Sequence, residues 1–129
     1  MKLYESPSPN ARRVHIFMAE KGIECERVPI DIRAGENLTE EYLLKNPAGR
    51  VPVLELDDGR FLGESVAICR FFESVNPEPC LFGAPGEDAA FIEMWNRRAE
   101  LNFMNNVAMA FRNITGFFKD RETCVKAWG

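Results

Sequence analysis

The sequence predicts an α/β domain with a four-stranded mixed sheet, followed by the beginning of an all-α domain. Three observations predict this fold class. Short strand-like apolar segments alternate with segments of helical period as far as Val75. Asp57-Asp58-Gly59 is a hairpin-type turn between two strand-like segments. From Glu87 onward, the apolar residues recur only with a helical period.

The first three elements are predicted to be strand, helix and strand. Residues 2–4 are a short strand candidate that ends at a Ser-Pro-Ser-Pro turn. A helical period runs from Asn10 to Gly22, a residue type that commonly follows the end of a helix. Residues 25–30 form the second strand, and Pro29 within it predicts an edge position because proline cannot donate to a ladder. The helical crossover predicts that the two strands are parallel.

The chain continues as helix, strand, strand and helix. Asn37 followed by Glu40 predicts a helix start. Residues 51–56 and 60–62 are predicted to form an antiparallel hairpin, and Ser65 to cap the last helix. The resulting order, β-α-β-α-β-β-α, packs most simply as a mixed sheet with helices on both faces.

We therefore predict a first domain over residues 1–77, a Pro- and Gly-rich linker over 78–86, and a truncated all-α domain over 87–129. The helix after the linker is rich in large apolar side chains, which a single helix cannot bury alone. We expect further helices beyond this sequence, or another chain, to cover that surface.

Composition and charge argue against several classes of function. The net charge of −4 and pI of about 5.1 disfavour a nucleic-acid-binding surface. No apolar run approaches the roughly 20 residues that span a bilayer, and no secretory signal is evident, so we expect a cytoplasmic protein. Four scattered cysteines and the single His15 lack metal-ligand spacing, so we expect no metal and a structural role for His15.

The turn into the first helix is the first candidate for chemistry. A helix N-terminus offers unpaired N–H groups and a partial positive charge, so it can hold an anion such as a thiolate. Ser8 and Asn10 supply side-chain donors there, and Tyr4 supplies a phenolic one. The alternative is that Ser8 or Asn10 is merely an N-cap. We expect Arg12 and Arg13 to form a solvated face or a salt bridge.

Two further candidates lie at Val51-Pro52 and Glu64-Ser65. A cis bond before Pro52 would explain a proline at the start of a central strand, and it would turn the Val51 backbone outward to pair with an extended peptide. A trans edge-strand proline is the alternative. Ser65 and nearby N–H groups suit a carboxylate and Glu64 an ammonium, together an α-amino acid end; alternatively, Ser65 is a simple N-cap.

Three stretches together resemble the glutathione S-transferase family: Ser8-Pro-Asn-Ala-Arg-Arg-Val-His-Ile, Asn46-Pro-Ala-Gly-Arg-Val-Pro-Val-Leu and Glu64-Ser-Val-Ala-Ile. The resemblance covers residues 1 to about 80 and implies a thioredoxin-like fold with a cis-proline. It implies that the Val51 backbone, next to Pro52, pairs with the cysteinyl part of glutathione. It further implies that Glu64 and Ser65 hold the γ-glutamyl end and that Arg50 lies near the glycyl carboxylate.

The resemblance leaves the catalytic position open. Ser8 aligns with the serine of the serine-type classes and the cysteine of the omega class. Asn10 lies where the beta class has its cysteine, and Tyr4 is in register with the tyrosine-type classes. Because no cysteine stands at position 8 or 10, activation of glutathione by hydrogen bonding is favoured, with Ser8 ranked before Asn10 and Tyr4.

The function implied is a glutathione transferase that uses glutathione as co-substrate and attacks a hydrophobic electrophile or a peroxide. The resemblance also implies a homodimer. The alternative is a non-catalytic binding or regulatory protein on the same fold, of the stringent-starvation-protein type. A thiol-disulfide reductase is disfavoured by Ser8 in place of cysteine.

Overall fold

A computed structural model describes residues 1–120 and 123–125, which belong to two compact units, Met1–Leu81 and Phe82–Gly129. The first unit contains a four-stranded sheet of order β2-β1-β3-β4. Its strands are β1 (Lys2–Glu5), β2 (Glu26–Pro29), β3 (Val53–Glu55) and β4 (Phe61–Leu62). β1 and β2 are parallel, and the other pairs are antiparallel. The mixed sheet is therefore confirmed, with β2 at an edge as Pro29 predicted.

Three helices accompany the sheet: α1 (Pro9–Lys21), α2 (Glu40–Lys45) and α3 (Ser65–Val75), with a short 3-10 helix at Glu36–Leu38. The helix start predicted at Asn37 is wrong. Thr39 caps α2 instead, because its Oγ1 accepts a hydrogen bond of 3.3 Å from the Tyr42 N–H. Asn37 lies in the 3-10 helix and is buried. Its side-chain amide donates to the Gly49 carbonyl instead.

The expected cap of α3 is also wrong. Glu64 occupies the N-cap position with φ 64°, and Ser65 is the first residue of the helix. The Glu64 side chain makes no capping hydrogen bond to the first turn of α3. The strand predicted over residues 51–56 is shorter, since Val51 and Pro52 precede β3 rather than join its ladder.

The core of the first unit lies between the sheet and helices α1 and α3. Leu3 and Leu54 face each other across β1 and β3, and both are fully buried together with Val14, Ile68 and Phe72. Burying each such side chain contributes about 1.5–3 kcal/mol. Residues on a strand alternate between faces, so Tyr4 lies on the opposite face from Leu3. There Lys45 Nζ of α2 lies 5.7 Å from the Tyr4 ring centroid.

A buried lysine joins the ends of α1 and α3. The side chain of Lys21 is 0% exposed, and its Nζ forms an ion pair of 2.5 Å with Glu73 Oε2. The same ammonium donates to the carbonyl oxygens of Asn76 and Pro79 at 2.6 and 2.7 Å. Glu73 also accepts from the Leu81 N–H at 2.8 Å, so this cluster fixes the segment that follows α3.

The second unit is helical, with α4 (Glu87–Ala99), a π-helical turn (Glu100–Met104) and α5 (Asn105–Thr115). Large apolar side chains are exposed along it, among them Phe91, Trp95, Leu101, Phe103, Phe111 and Ile114. Residues 121–122 and 126–129 of the domain predicted over 87–129 lie outside the described residues, and its boundaries stay a prediction. Within the part of the chain that the structure describes, no helix is long and apolar enough to cross a membrane.

Candidate functional site

Strand register brings three candidate segments together at the same end of the strands. Tyr4 pairs with Val53, so the C-terminal end of β1 lies beside the start of β3. Leu54 pairs with Leu62, so the C-terminal end of β4 lies at this same end of the sheet. The end of β1 leads into the turn before α1, and the end of β4 leads to the N-terminus of α3. The remaining segment directly precedes β3.

The first segment presents Ser8 and Asn10. Ser8 is the N-cap of α1, and its Oγ accepts a hydrogen bond of 3.2 Å from the Ala11 N–H. A serine oxygen that accepts one bond still carries a hydrogen to donate. Pro9 has no N–H, and the Asn10 N–H has no acceptor among the described residues. The N-terminus of α1 therefore offers an anion the Ser8 hydroxyl and the Asn10 amide.

Tyr4 is arranged differently. Its hydroxyl donates to Glu55 Oε2 at 2.6 Å, across β1 and β3. The hydrogen bond to Glu55, followed by burial, raises the pKa of Tyr4 to about 12. A hydroxyl that already donates its hydrogen to a carboxylate cannot donate it to a thiolate at the same time. The structure thus separates Tyr4 from the two other candidates.

The second segment, before β3, is held by backbone bonds to polar side chains. Asn37 Nδ2 donates to the Gly49 carbonyl at 2.6 Å. Tyr42 Oη donates to the Arg50 carbonyl at 2.9 Å, while the Arg50 side chain is exposed. The Val51–Pro52 peptide bond is cis. The hydrogen bonds from Asn37 and Tyr42 join the 3-10 helix and α2 to this segment, and neither hydrogen bond was predicted from the sequence.

Val51 itself is half-buried, and its N–H and C=O form no hydrogen bond to any residue that the structure describes. Backbone groups are obligatory hydrogen-bonding groups, so an unpaired pair at a half-buried position can accept an external peptide. Gly49 permits the approach of the segment, because its φ is +60° and a Cβ there would lie 3.0 Å from Leu38 Cδ2.

The third segment joins α3 to α1. Ser65 is buried, and its Oγ accepts a hydrogen bond of 2.8 Å from Arg13 Nη1. Arg13 is half-buried, so the expectation of a solvated face or a salt bridge was wrong for this residue. Glu64 is exposed beside it. Sequence reasoning missed this contact, because Arg13 and Ser65 are 52 residues apart along the chain.

A cleft of about 820 Å³ opens beside Ser8 between α1 and β2. Glu5 lies in its wall with a side chain only 10% exposed, and it is hydrogen-bonded to His15 and ion-paired with Arg27 at 2.5 Å. The cleft is lined by Glu5, Ser6, Pro7, Ser8, Pro9, Ala11, Arg12, His15, Arg27 and Pro29. Among residues 1–120 and 123–125, no group of three or more His, Cys, Asp or Glu is placed to hold a metal ion.

A family model described as the glutathione S-transferase N-terminal domain matches residues 7–75, more than half of the chain. The chain belongs to the glutathione S-transferase family. The matched range contains all the candidate residues above except Tyr4. The three segments at this end of the sheet therefore lie in the part of the chain that carries the family signature.

Known glutathione S-transferases match both the sequence and the fold. Glutathione S-transferase 2 of Saccharomyces cerevisiae is 37% identical over 118 residues, which are 89% of this chain and 51% of that protein. The crystal structure of a glutathione S-transferase domain-containing protein from Marinobacter aquaeolei is 40% identical, with a TM-score of 0.94, and the match covers 100% of this chain and 65% of that one.

A glutathione transferase homologue from Sulfitobacter was solved with bound glutathione. It is 25% identical, with a TM-score of 0.77, and the match covers 92% of this chain and 60% of that one. The chain spans about half the length of the yeast relative, 51%. The fold is therefore the thioredoxin-like N-terminal fold of the glutathione S-transferases, followed by a helical region.

Proposed function

We propose that this chain binds glutathione in an extended form at this end of the sheet, beside the segment that precedes β3. We further propose that it activates the thiol of glutathione for attack on a hydrophobic electrophile or a peroxide. The observation that carries this proposal is the half-buried Val51 backbone, whose N–H and C=O have no partner among the described residues. An extended peptide pairs with such a backbone as an added strand does. Membership of the family and the glutathione-bound relative support the identity of the peptide.

The ends of glutathione match the side chains on either side of Val51. Glu64 is exposed and suits the α-ammonium of the γ-glutamyl residue. The Ser65 hydroxyl and the uncapped first turn of α3 suit its carboxylate, because N–H groups and the helix dipole favour an anion there. The exposed Arg50 suits the glycyl carboxylate at the other end.

Activation of the thiol is assigned to the N-terminus of α1. A free thiol of this type has a pKa of roughly 8.5, so it is mostly protonated at neutral pH. A hydrogen bond from Ser8, with Asn10 as second donor, and the partial positive charge of the helix stabilise the thiolate and lower that pKa. The thiol proton passes to solvent. The thiolate sulfur then bonds to an electrophilic carbon and displaces a leaving group such as halide; with a peroxide it bonds to the terminal oxygen, the O–O bond breaks to give a sulfenic acid, and the alkoxide released takes a proton from water.

The remaining features of the proposal follow from the family. We expect a cytoplasmic homodimer that takes glutathione as co-substrate and needs no metal, nucleic acid or membrane. The apolar side chains exposed on α4 and α5, such as Trp95 and Phe111, are compatible with burial by further protein.

A glutathione affinity column followed by a conjugation assay with an aromatic halide tests this function. We expect retention, elution by free glutathione, and conjugation. Glu64→Gln should elute earlier, whereas the matched control Glu20→Gln, on an exposed position of α1, should elute with the unmodified chain. Retention without conjugation would support the non-catalytic alternative, and failure to bind glutathione would contradict the proposed function.

A further inference from the structure

We propose that the cleft beside Ser8 selects electrophiles that carry an anionic group, and that Arg12 is the residue that binds this group. The inference rests on the proposed function and narrows its electrophile to an apolar compound with a carboxylate or a similar anion. It starts from the lining of the cleft, which contains both the serine assigned to the thiol and an arginine that forms no ion pair with any residue that the structure describes.

Ser8 and Arg12 lie one helical turn apart on the same wall of the cleft. The Arg12 N–H donates to the Ser8 carbonyl at 3.0 Å, and both residues line the cleft. Side chains four positions apart on a helix are neighbours, with Cβ atoms about 5–6 Å apart. An aromatic electrophile that is attacked beside Ser8 can therefore reach the Arg12 guanidinium with a group on the far side of its ring.

The other charges of the cleft lining are already compensated. Glu5 Oε1 accepts a hydrogen bond of 2.5 Å from Arg27 Nε, and Glu5 Oε2 is hydrogen-bonded to His15. The carboxylate of Glu5 and the guanidinium of Arg27 thus cancel each other, and both oxygens of Glu5 are occupied. Glu5 is therefore a poor partner for a cationic substrate, and Arg27 is a poor partner for an anionic one.

Arg12 has the opposite character. Its side chain is exposed, and the first turn of α1 contains no acidic residue that could neutralise it. The N-terminus of α1 adds a partial positive charge beside it. The uncompensated charge among the described residues of the cleft is therefore positive, and it lies where the far end of an electrophile would be. A guanidinium also offers paired N–H donors that match the two oxygens of a carboxylate.

The rest of the cleft wall suits the apolar body of such a compound. Pro7, Pro9, Ala11 and Pro29 contribute apolar surface between Ser8 and β2. A neutral electrophile gains only this apolar contact, whereas an anionic one gains the contact and the charge of Arg12. Because specificity is a difference between two affinities, Arg12 favours the anionic compound.

The test compares two ligands that differ by one charge. 4-Chloro-3-nitrobenzoate and 4-chloro-3-nitrobenzamide each react with the glutathione thiolate, whose sulfur bonds to the ring carbon as chloride leaves. The two stable conjugates are prepared chemically, and their dissociation constants are measured by calorimetry with the full chain, so the result does not depend on turnover. We expect the carboxylate conjugate to bind about 5- to 20-fold more tightly than the carboxamide conjugate.

Arg12→Met should remove this preference. We expect it to weaken the carboxylate conjugate about 5- to 20-fold and to change the carboxamide conjugate less than 2-fold. Arg12→Lys keeps the charge and should recover part of the preference. Arg60→Met, at an exposed position in the hairpin, is the control for loss of one positive charge and should change neither affinity. Added salt should reduce the preference of the unmodified chain, because it screens an exposed charge.

Two results would overturn the inference while leaving glutathione binding intact. One is equal affinity of the unmodified chain for the two conjugates. The other is an Arg12→Met variant that weakens both conjugates equally or weakens neither. If the unmodified chain bound neither glutathione nor either conjugate, the proposed function itself would fail, and the inference with it.

Discussion

Tyr4 Oη donates a 2.6 Å hydrogen bond to Glu55 Oε2, which links the first strand to the third. The bond raises the pKa of Tyr4 to about 12 and assigns the only hydrogen of the phenol to the sheet. Ser8, in contrast, uses its oxygen to cap α1 and keeps its hydrogen for another acceptor. The two hydroxyls differ in what they have left to donate.

Ser8→Ala should therefore lower turnover in the conjugation assay by about 10²–10³, as for loss of an oxyanion-type donor. Tyr4→Phe should leave turnover near that of the unmodified chain. Ser8→Gly separates catalysis from capping, because glycine at an N-cap costs only a few tenths of a kcal/mol, and it should lose as much turnover as alanine. Full turnover in Ser8→Gly with loss in Tyr4→Phe would reverse the ranking.

Glu64 should carry backbone strain. Its φ of 64° is one that non-glycine residues rarely adopt, and such positions cost of order 1–3 kcal/mol. Glu64→Gly relieves this strain but adds about 0.4–1 kcal/mol of unfolded-state entropy. We expect the free energy of unfolding in urea to be unchanged or up to about 2 kcal/mol higher, while glutathione affinity falls.

The control is Glu20→Gly in the exposed part of α1, which should cost about 1 kcal/mol because glycine is a poor helix former. A loss of stability in Glu64→Gly as large as that in Glu20→Gly would mean that the N-cap of α3 is unstrained.

Lys21→Met should destabilise the chain strongly. The substitution leaves Glu73 and the carbonyls of Asn76 and Pro79 without their buried ammonium, and breaking a buried ion pair typically costs about 3–5 kcal/mol. Lys2→Met, at an exposed pair with Glu26, should cost less than about 1 kcal/mol. Chemical denaturation measures both. Similar losses in the two variants would show that the Lys21 cluster adds nothing beyond a surface pair.

Cys69 should resist alkylation in the folded chain. Burial raises the pKa of its thiol to about 11, so only about one thiol in a thousand is ionised at pH 8. Cys80 is exposed. In a pulse of iodoacetamide read by peptide mass spectrometry, we expect Cys80 to be labelled and Cys69 to be labelled only in denaturant. Equal labelling of both in the native chain would contradict the burial of Cys69.

Much of the fold could be predicted from local pattern. Pro29 identified an edge strand, and the turn at residues 57–59 identified the antiparallel hairpin. Helix starts were harder, because several polar residues in a row can each serve as a cap. Thr39 caps α2 rather than Asn37, whose amide is drawn into the fold by the Gly49 carbonyl. Tertiary contacts decide between such candidates.

The parts of the site that consist of neighbouring residues in the sequence could be predicted. The contacts between residues far apart in the sequence could not. Glu64 and Ser65 could be singled out from two adjacent letters, but the Arg13 partner of Ser65 is 52 residues away in sequence. Likewise, nothing local to Arg50 indicates that Tyr42 holds its carbonyl. Both contacts depend on how α1, α2 and α3 pack on the sheet, which periodicity alone does not specify.

An amide-resolved NMR titration tests most directly whether the Val51 backbone receives the tripeptide. With the isotope-labelled chain and increasing glutathione, we predict a saturable shift of the Val51 amide resonance, accompanied by Ser65 and Asn10. Saturable glutathione binding that leaves the Val51 amide unchanged would contradict the account.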